Sequence, residues 1–83
     1  MIFKVLLSPS SQDFLKKLDK SNRERVESKL KELSTTPELG KPLVGKLAGL
    51  WSLRVGDYRS IYQIRNSELL VLIIKIGHRK SIY

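Results

Sequence analysis

Arg54 and Arg59 flank Gly56-Asp57, a tight-turn dipeptide set between strand-favouring residues, and Gly77-His78-Arg79-Lys80 closes a later apolar run. A guanidinium presents a planar fork of donors that matches a phosphate, and an imidazole titrates near neutrality. A tyrosine offers a ring on which a base can stack. These residue types suit attack of an RNA 2′-hydroxyl on its neighbouring phosphate, with cations stabilising the pentacoordinate transition state. Arg59 shares a strand face with Ile61, so its stem starts beside apolar surface and its guanidinium is positioned. Tyr58 and Tyr62 alternate with Ser60 and Ile64 and read as core, whereas Tyr83, the last residue, follows the basic cluster and is free to project.

Stronger catalytic signatures are missing. His78 is the one histidine and has no second ligand at metal-binding spacing; it reads as a surface residue of a basic tail or as a proton-transfer group beside phosphate-binding cations. There is no phosphate-cradling glycine loop and no Ser/His/Asp arrangement, and the acids Asp57 and Glu68 fall in turns. No metal and no cofactor is expected.

Positioning the arginines calls for antiparallel strands. If the strand after Gly56-Asp57 pairs with the apolar run Leu69 to Ile76, the first arginines and the Gly77–Lys80 cluster arrive at one end of the sheet. Trp51, Leu53 and Val55 alternate as one face of the strand before the turn, and Tyr58, Ser60, Tyr62 and Ile64 form one face of the strand after it. The run Leu69 to Ile76 is almost wholly apolar, the pattern of a central strand covered on both faces. Arg65-Asn66-Ser67-Glu68 is the intervening turn.

Upstream, Ile2 to Leu7 reads as a first strand, at an edge or within the sheet, and Ser8-Pro9-Ser10 ends it, with Pro9 suited to the first turn of a helix. Phe14, Leu15 and Leu18 then share a helical face, and Val26, Leu30 and Leu33 make the stripe of a second helix. Ser21 and Glu24 have capping-box spacing at its start. Ser34 to Pro42 reads as loop and Leu43 to Leu50 as irregular. The expected architecture is a small α+β domain, β-α-α-β-β-β, spanning residues 1–83: a mainly antiparallel sheet with a two-helix hairpin on one face and a basic, partly open surface on the other.

Charge is asymmetric. The net charge is +8, with eight Lys/Arg against six Asp/Glu in residues 1–40 and eight against two in residues 41–83. The basic half is the half that holds the hairpin, which points to a polyanion or an acidic protein as partner. With no cysteine, no signal-like start and no apolar run of membrane length, the expected setting is cytoplasmic and away from membranes.

Leu47-Ala48-Gly49-Leu50-Trp51, then Leu53 through Tyr62, and finally Gly77 through Tyr83 resemble the RelE/ParE superfamily of toxin–antitoxin toxins, and more closely its RelE branch, over nearly the whole chain. The resemblance implies a RelE-like fold and a ribosome-dependent mRNA endoribonuclease, an mRNA interferase that cuts the A-site codon by 2′-hydroxyl attack without a metal. Arg59 then corresponds to the arginine that stabilises the scissile phosphate, Arg79 to the one assisting the leaving 5′-oxygen, and Tyr83 to the tyrosine that stacks on or orients the nucleotide. Arg54 matches a basic position next to the site, and Lys41, Lys46 and Lys80 complete the phosphate-binding set. Leu50 and Ser52 stand where that branch carries second-strand lysines, which leaves the general base to Lys41, Lys46 or His78. The implied partners are a RelB-like antitoxin, the ribosome with its mRNA and, for the toxin–antitoxin complex, operator DNA. A ParE-like gyrase-binding toxin, or a homologue that only binds, is the alternative.

Overall fold

A computed structural model describes residues 2–80. Strand β1 (Lys4–Leu7) leads into helices α1 (Pro9–Lys17) and α2 (Lys20–Glu32), and strands β2 (Lys41–Pro42), β3 (Trp51–Val55), β4 (Tyr58–Arg65) and β5 (Leu70–His78) follow. The five strands form one sheet in the order β1-β5-β4-β3-β2. Every neighbouring pair is antiparallel except β1 with β5, so β1 takes an edge after the helical crossover. Among the described residues no helix is long and apolar enough to cross a membrane.

The helices start where side chains can satisfy their free N–H groups. Pro9 occupies the first turn of α1, and the Ser8 hydroxyl accepts from the Ser11 N–H. For α2 the capping box expected at Ser21 and Glu24 is not used. Both residues lie inside the helix, and Asp19 caps it, accepting from the Asn22 backbone N–H at 3.2 Å and from the Asn22 side-chain amide at 2.7 Å. A carboxylate with two donors, placed at the positive end of the helix dipole, outcompetes a serine hydroxyl two residues further on. These bonds hold the Asp19 carboxyl below its ordinary value, the Asn22 side chain contributing most.

The core lies between the helices and the sheet. Leu15 from α1 and Val26, Leu30 and Leu33 from α2 and its end pack on Leu53, Tyr62, Val71, Ile73 and Ile76. Each fully buried aliphatic side chain contributes about 1.5–3 kcal/mol relative to exposure, and this layer is the main source of stability. The stripe expected for the second helix is therefore the one that is buried.

The reading of β5 needs correction. It is central, but only one of its faces carries the helices. Val71, Ile73 and Ile76 are buried there, whereas Ile74 and Lys75 are exposed. A bulge explains the mismatch: Ile61 opposes Lys75 while Tyr62 opposes Ile73, so Ile74 is an extra residue that shifts the alternation. The helix start supports the bulge from the side. Ser8 Oγ donates to the Ile74 carbonyl at 2.7 Å, Ser8 N–H to Ile73 O at 2.9 Å, and the fully buried Ser11 hydroxyl to Ile73 O at 3.3 Å.

The stretch from Ser34 to Leu50, expected to be irregular, contains the short strand β2 and 3₁₀ turns at Pro37–Leu39 and Gly45–Leu47. β2 consists of two residues, one of them a proline, and pairs at the sheet edge, where a missing N–H costs nothing. Its approach is pinned by Tyr62, whose buried hydroxyl donates to Pro37 O at 2.7 Å and accepts from the Gly40 N–H at 3.0 Å. A Cβ on Gly40 would collide with the Ser52 carbonyl, so only glycine fits there. Burial is the main cause that pushes the Tyr62 phenol above its ordinary value.

Candidate functional site

Positioning begins at the β3–β4 turn. Gly56 and Asp57 are the two residues between Val55 and Tyr58, which oppose each other. Gly56 alone takes positive φ, +58°, the pattern of a type II′ turn whose twist suits the flanking strands. The turn sets Arg54 directly opposite Arg59, and Arg59 in turn opposes Gly77 of β5. Opposed residues share a face, so both arginines stand on the side of the sheet away from the helices. Two like charges facing each other destabilise the isolated pair, and an anion bound between them removes that cost.

A second row runs beside the first. Lys41 opposes Ser52, Ser52 opposes Ile61, and Ile61 opposes Lys75, all on the same outer face. Three strand spacings separate the two lysines, roughly 14 Å. Ile61, only 6% exposed, gives the rows an apolar floor. Gly77, the β5 residue opposite Arg59, brings no side chain to this face. Arg79 is tied to the same end of the sheet, its N–H donating to the Asp57 carbonyl at 3.0 Å. The convergence expected of Arg54, Arg59 and Arg79 is thus present at the level of the backbone.

The remaining candidates divide. Lys80 follows Arg79 and is exposed; Lys46 lies in the Gly45–Leu47 turn, also exposed. His78 opposes Tyr58 and therefore belongs to the helix side of the sheet, not to Arg59's side. Its ring centroid is 5.1 Å from that of Tyr58, which contacts Phe14 edge-on at 5.9 Å. Tyr83 lies outside the described residues. Lys75 was not among the residues singled out from the sequence; its one signal is that it is the sole charge in an apolar run.

A groove of about 560 Å³ opens at the β2 side of these rows, with Lys29, Lys41, Arg54 and Arg59 around it and Gly40, Leu43 and Ser52 among the residues between. It combines convergent cations with little enclosure, a geometry that suits an extended, charged chain better than a small apolar ligand.

Comparison with known proteins gives one consistent pattern. A family model described as ParE toxin of type II toxin–antitoxin system, parDE, matches residues 5–83. The toxin RelG of Mycobacterium tuberculosis is 42% identical over 59 residues, covering 70% of this chain and 68% of that protein. The toxin RelE of the same organism is 45% identical over 51 residues, covering 61% of this chain and about half, 53%, of its own length. Among solved structures, a chain of the RelBE toxin–antitoxin complex from Mycobacterium tuberculosis superposes with a TM-score of 0.85 at 31% identity, covering 95% of this chain and 93% of that one.

Proposed function

The chain belongs to the RelE/ParE superfamily of toxins from type II toxin–antitoxin systems, and on that premise we propose that it is a ribosome-dependent mRNA endoribonuclease. The observation that carries this reading is the cross-strand placement of Arg54 and Arg59 at the end of the sheet to which Arg79 is also tied. In the proposed reaction the 2′-oxygen of an A-site nucleotide attacks the adjacent phosphorus and the bond to the 5′-oxygen breaks. The products are a 2′,3′-cyclic phosphate and a 5′-hydroxyl. Arg59 stabilises the charge on the phosphoryl oxygens, and Arg79 assists the departing 5′-oxygen. Arg54, Lys46 and Lys80 hold neighbouring phosphates, and Tyr83 stacks on the nucleotide. No metal is required for this chemistry.

The reaction also needs a proton acceptor for the 2′-hydroxyl. Of Lys41, Lys46 and His78, Lys41 is supported best, because it opposes Ser52 on the face that carries Arg59. His78 is disfavoured by its place beside Tyr58 on the other side. The proposed protein partner is a RelB-like antitoxin: the superposable Mycobacterium tuberculosis toxin is in complex with its antitoxin. Binding of operator DNA by the pair, and a cytoplasmic location, belong to the same proposal.

A second reading has its own support, since the matching family model is that of ParE. A gyrase-binding toxin of the same fold needs no cleavage residues. Cell-free translation separates the two. The proposed function predicts arrested synthesis with cut message and normal gyrase supercoiling; intact message with blocked supercoiling would establish the second reading instead.

A further inference from the structure

The basic surface does not stop at the sheet. β2 pairs with β3 only at Ser52 and Trp51, so the edge of β3 from Leu53 to Val55 carries no strand on that side. Arg54 stands at this open edge, exposed, with its Nε within 3.5 Å of the Gly56 carbonyl. Beyond it lies a second groove, of about 610 Å³, between α2 and the β3–β4 turn, with Arg25, Lys29, Arg54 and Gly56 on its walls. Lys29 and Arg54 border both this groove and the one beside Arg59. The two therefore adjoin at Lys29 and Arg54, and together they make a trough lined with cations from Arg59 and Lys41 past Arg54 and Lys29 to Arg25.

Its charge is strongly one-sided: five cations against the single carboxylate of Glu24. Arg25 is exposed and reaches the β3–β4 turn. A Cβ built on Gly56 would meet its Nη2 at 3.0 Å, so the guanidinium lies against the turn glycine, on the same turn that Arg54 touches. Lys29 pairs with Glu32 at 3.4 Å, but both side chains are about half exposed, and such a pair yields to a phosphate at little cost. Neither Arg25 nor Arg54 has a carboxylate partner among the described residues.

From this continuity and charge we infer that the α2 end of the trough, through Arg25 and Lys29, binds the phosphate backbone of RNA adjoining the nucleotide that is cleaved. The inference rests on the proposed nuclease reading and extends its substrate surface beyond the sheet. An extended polyanion fits better than a compact anion because the cations are strung along a shallow path rather than gathered at a point. The backbone at this position comes either from the flanking message or from ribosomal RNA, which share this chemistry.

The test is the Arg25→Ala/Lys29→Ala variant, compared with Lys16→Ala/Lys17→Ala on α1, which removes the same charge elsewhere. The expected result is a KM for programmed ribosomes raised about tenfold or more, with kcat little changed, and a control that behaves as wild type. For binding of a labelled oligouridine, the slope of log affinity against log salt falls by about 1.4, at roughly 0.7 per lost phosphate contact on a single strand. A KM defect that disappears on a message truncated after the A-site codon assigns the contact to flanking message; one that persists assigns it to ribosomal RNA. An unchanged KM together with an unchanged salt slope overturns the inference. If the wild type cuts nothing, the nuclease reading fails separately, and the oligouridine salt slopes still decide whether the trough binds RNA.

Discussion

Arg54 and Arg59 were legible in the sequence because a two-residue turn fixes register: once Gly56-Asp57 is the turn, the residues two before and two after it must oppose each other. Lys75 and His78 were not legible in the same way. Lys75 reaches the outer face beside Ile61 between a buried Ile76 and the Ile74 bulge, and no periodicity in Leu69 to Ile76 marks that bulge. His78 belongs to the helix side through its pairing with Tyr58, although its neighbours in sequence are the cations of the site. These placements give an order of effects. Lys41→Ala is expected to lower the cleavage rate by about 10²-fold or more, as loss of a proton acceptor does. Lys75→Ala, which removes the β5 cation of the second row, is expected to raise KM several-fold, and His78→Ala to stay within a few-fold of wild type. Single-turnover cleavage on programmed ribosomes checks all three, and a His78→Ala loss equal to that of Lys41→Ala would reassign the base.

The helices, the hairpin and the central strand were readable from apolar spacing, while the elements that join them depend on contacts distant in sequence. β2 is the clearest case: two residues, one of them Pro42, carry no strand signal, and the segment is placed by Tyr62 through Pro37 and Gly40. Tyr62→Phe leaves the Gly40 N–H and the Pro37 carbonyl without their partner and is expected to cost about 1–3 kcal/mol in urea unfolding. Gly40→Ala forces a Cβ onto the Ser52 carbonyl, with an expected cost of about 1–3 kcal/mol or more, and displaces Lys41 from its place opposite Ser52. A variant that loses cleavage with unchanged stability would show that the segment serves the site without supporting the fold. The start of α2 was misjudged for a different reason. Asp19 and Ser21 are both competent caps, and only the folded chain shows the carboxylate collecting two donors from Asn22.

At the scale of the whole molecule, one face of the sheet supplies stability and the other supplies charge. The net charge of +8 pointed to a polyanion or an acidic protein as partner, but composition could not say that the cations form rows on one face and then continue over the β3 edge. Acid stability follows from the cap at the helix junction. Because folding lowers the Asp19 pKa below 3.8, its contribution is present above that value and lost as pH falls through the folded pKa. Asp19→Asn keeps a capping side chain without the titration, so the thermal-midpoint gap between wild type and this variant should shrink as pH is lowered below about 3.8. The central claim is that this basic face cuts message on the ribosome by 2′-hydroxyl attack. Its most direct test is primer extension on programmed ribosomes, with wild type and Arg79→Ala, on messages whose A-site codon is all-ribose or 2′-deoxy. The account predicts cuts confined to the A-site codon of the all-ribose message, absent on free RNA, absent on the deoxy codon and reduced at least about 10²-fold in the variant. Cuts that persist on the deoxy codon, or no cuts from a folded wild-type protein, would contradict it.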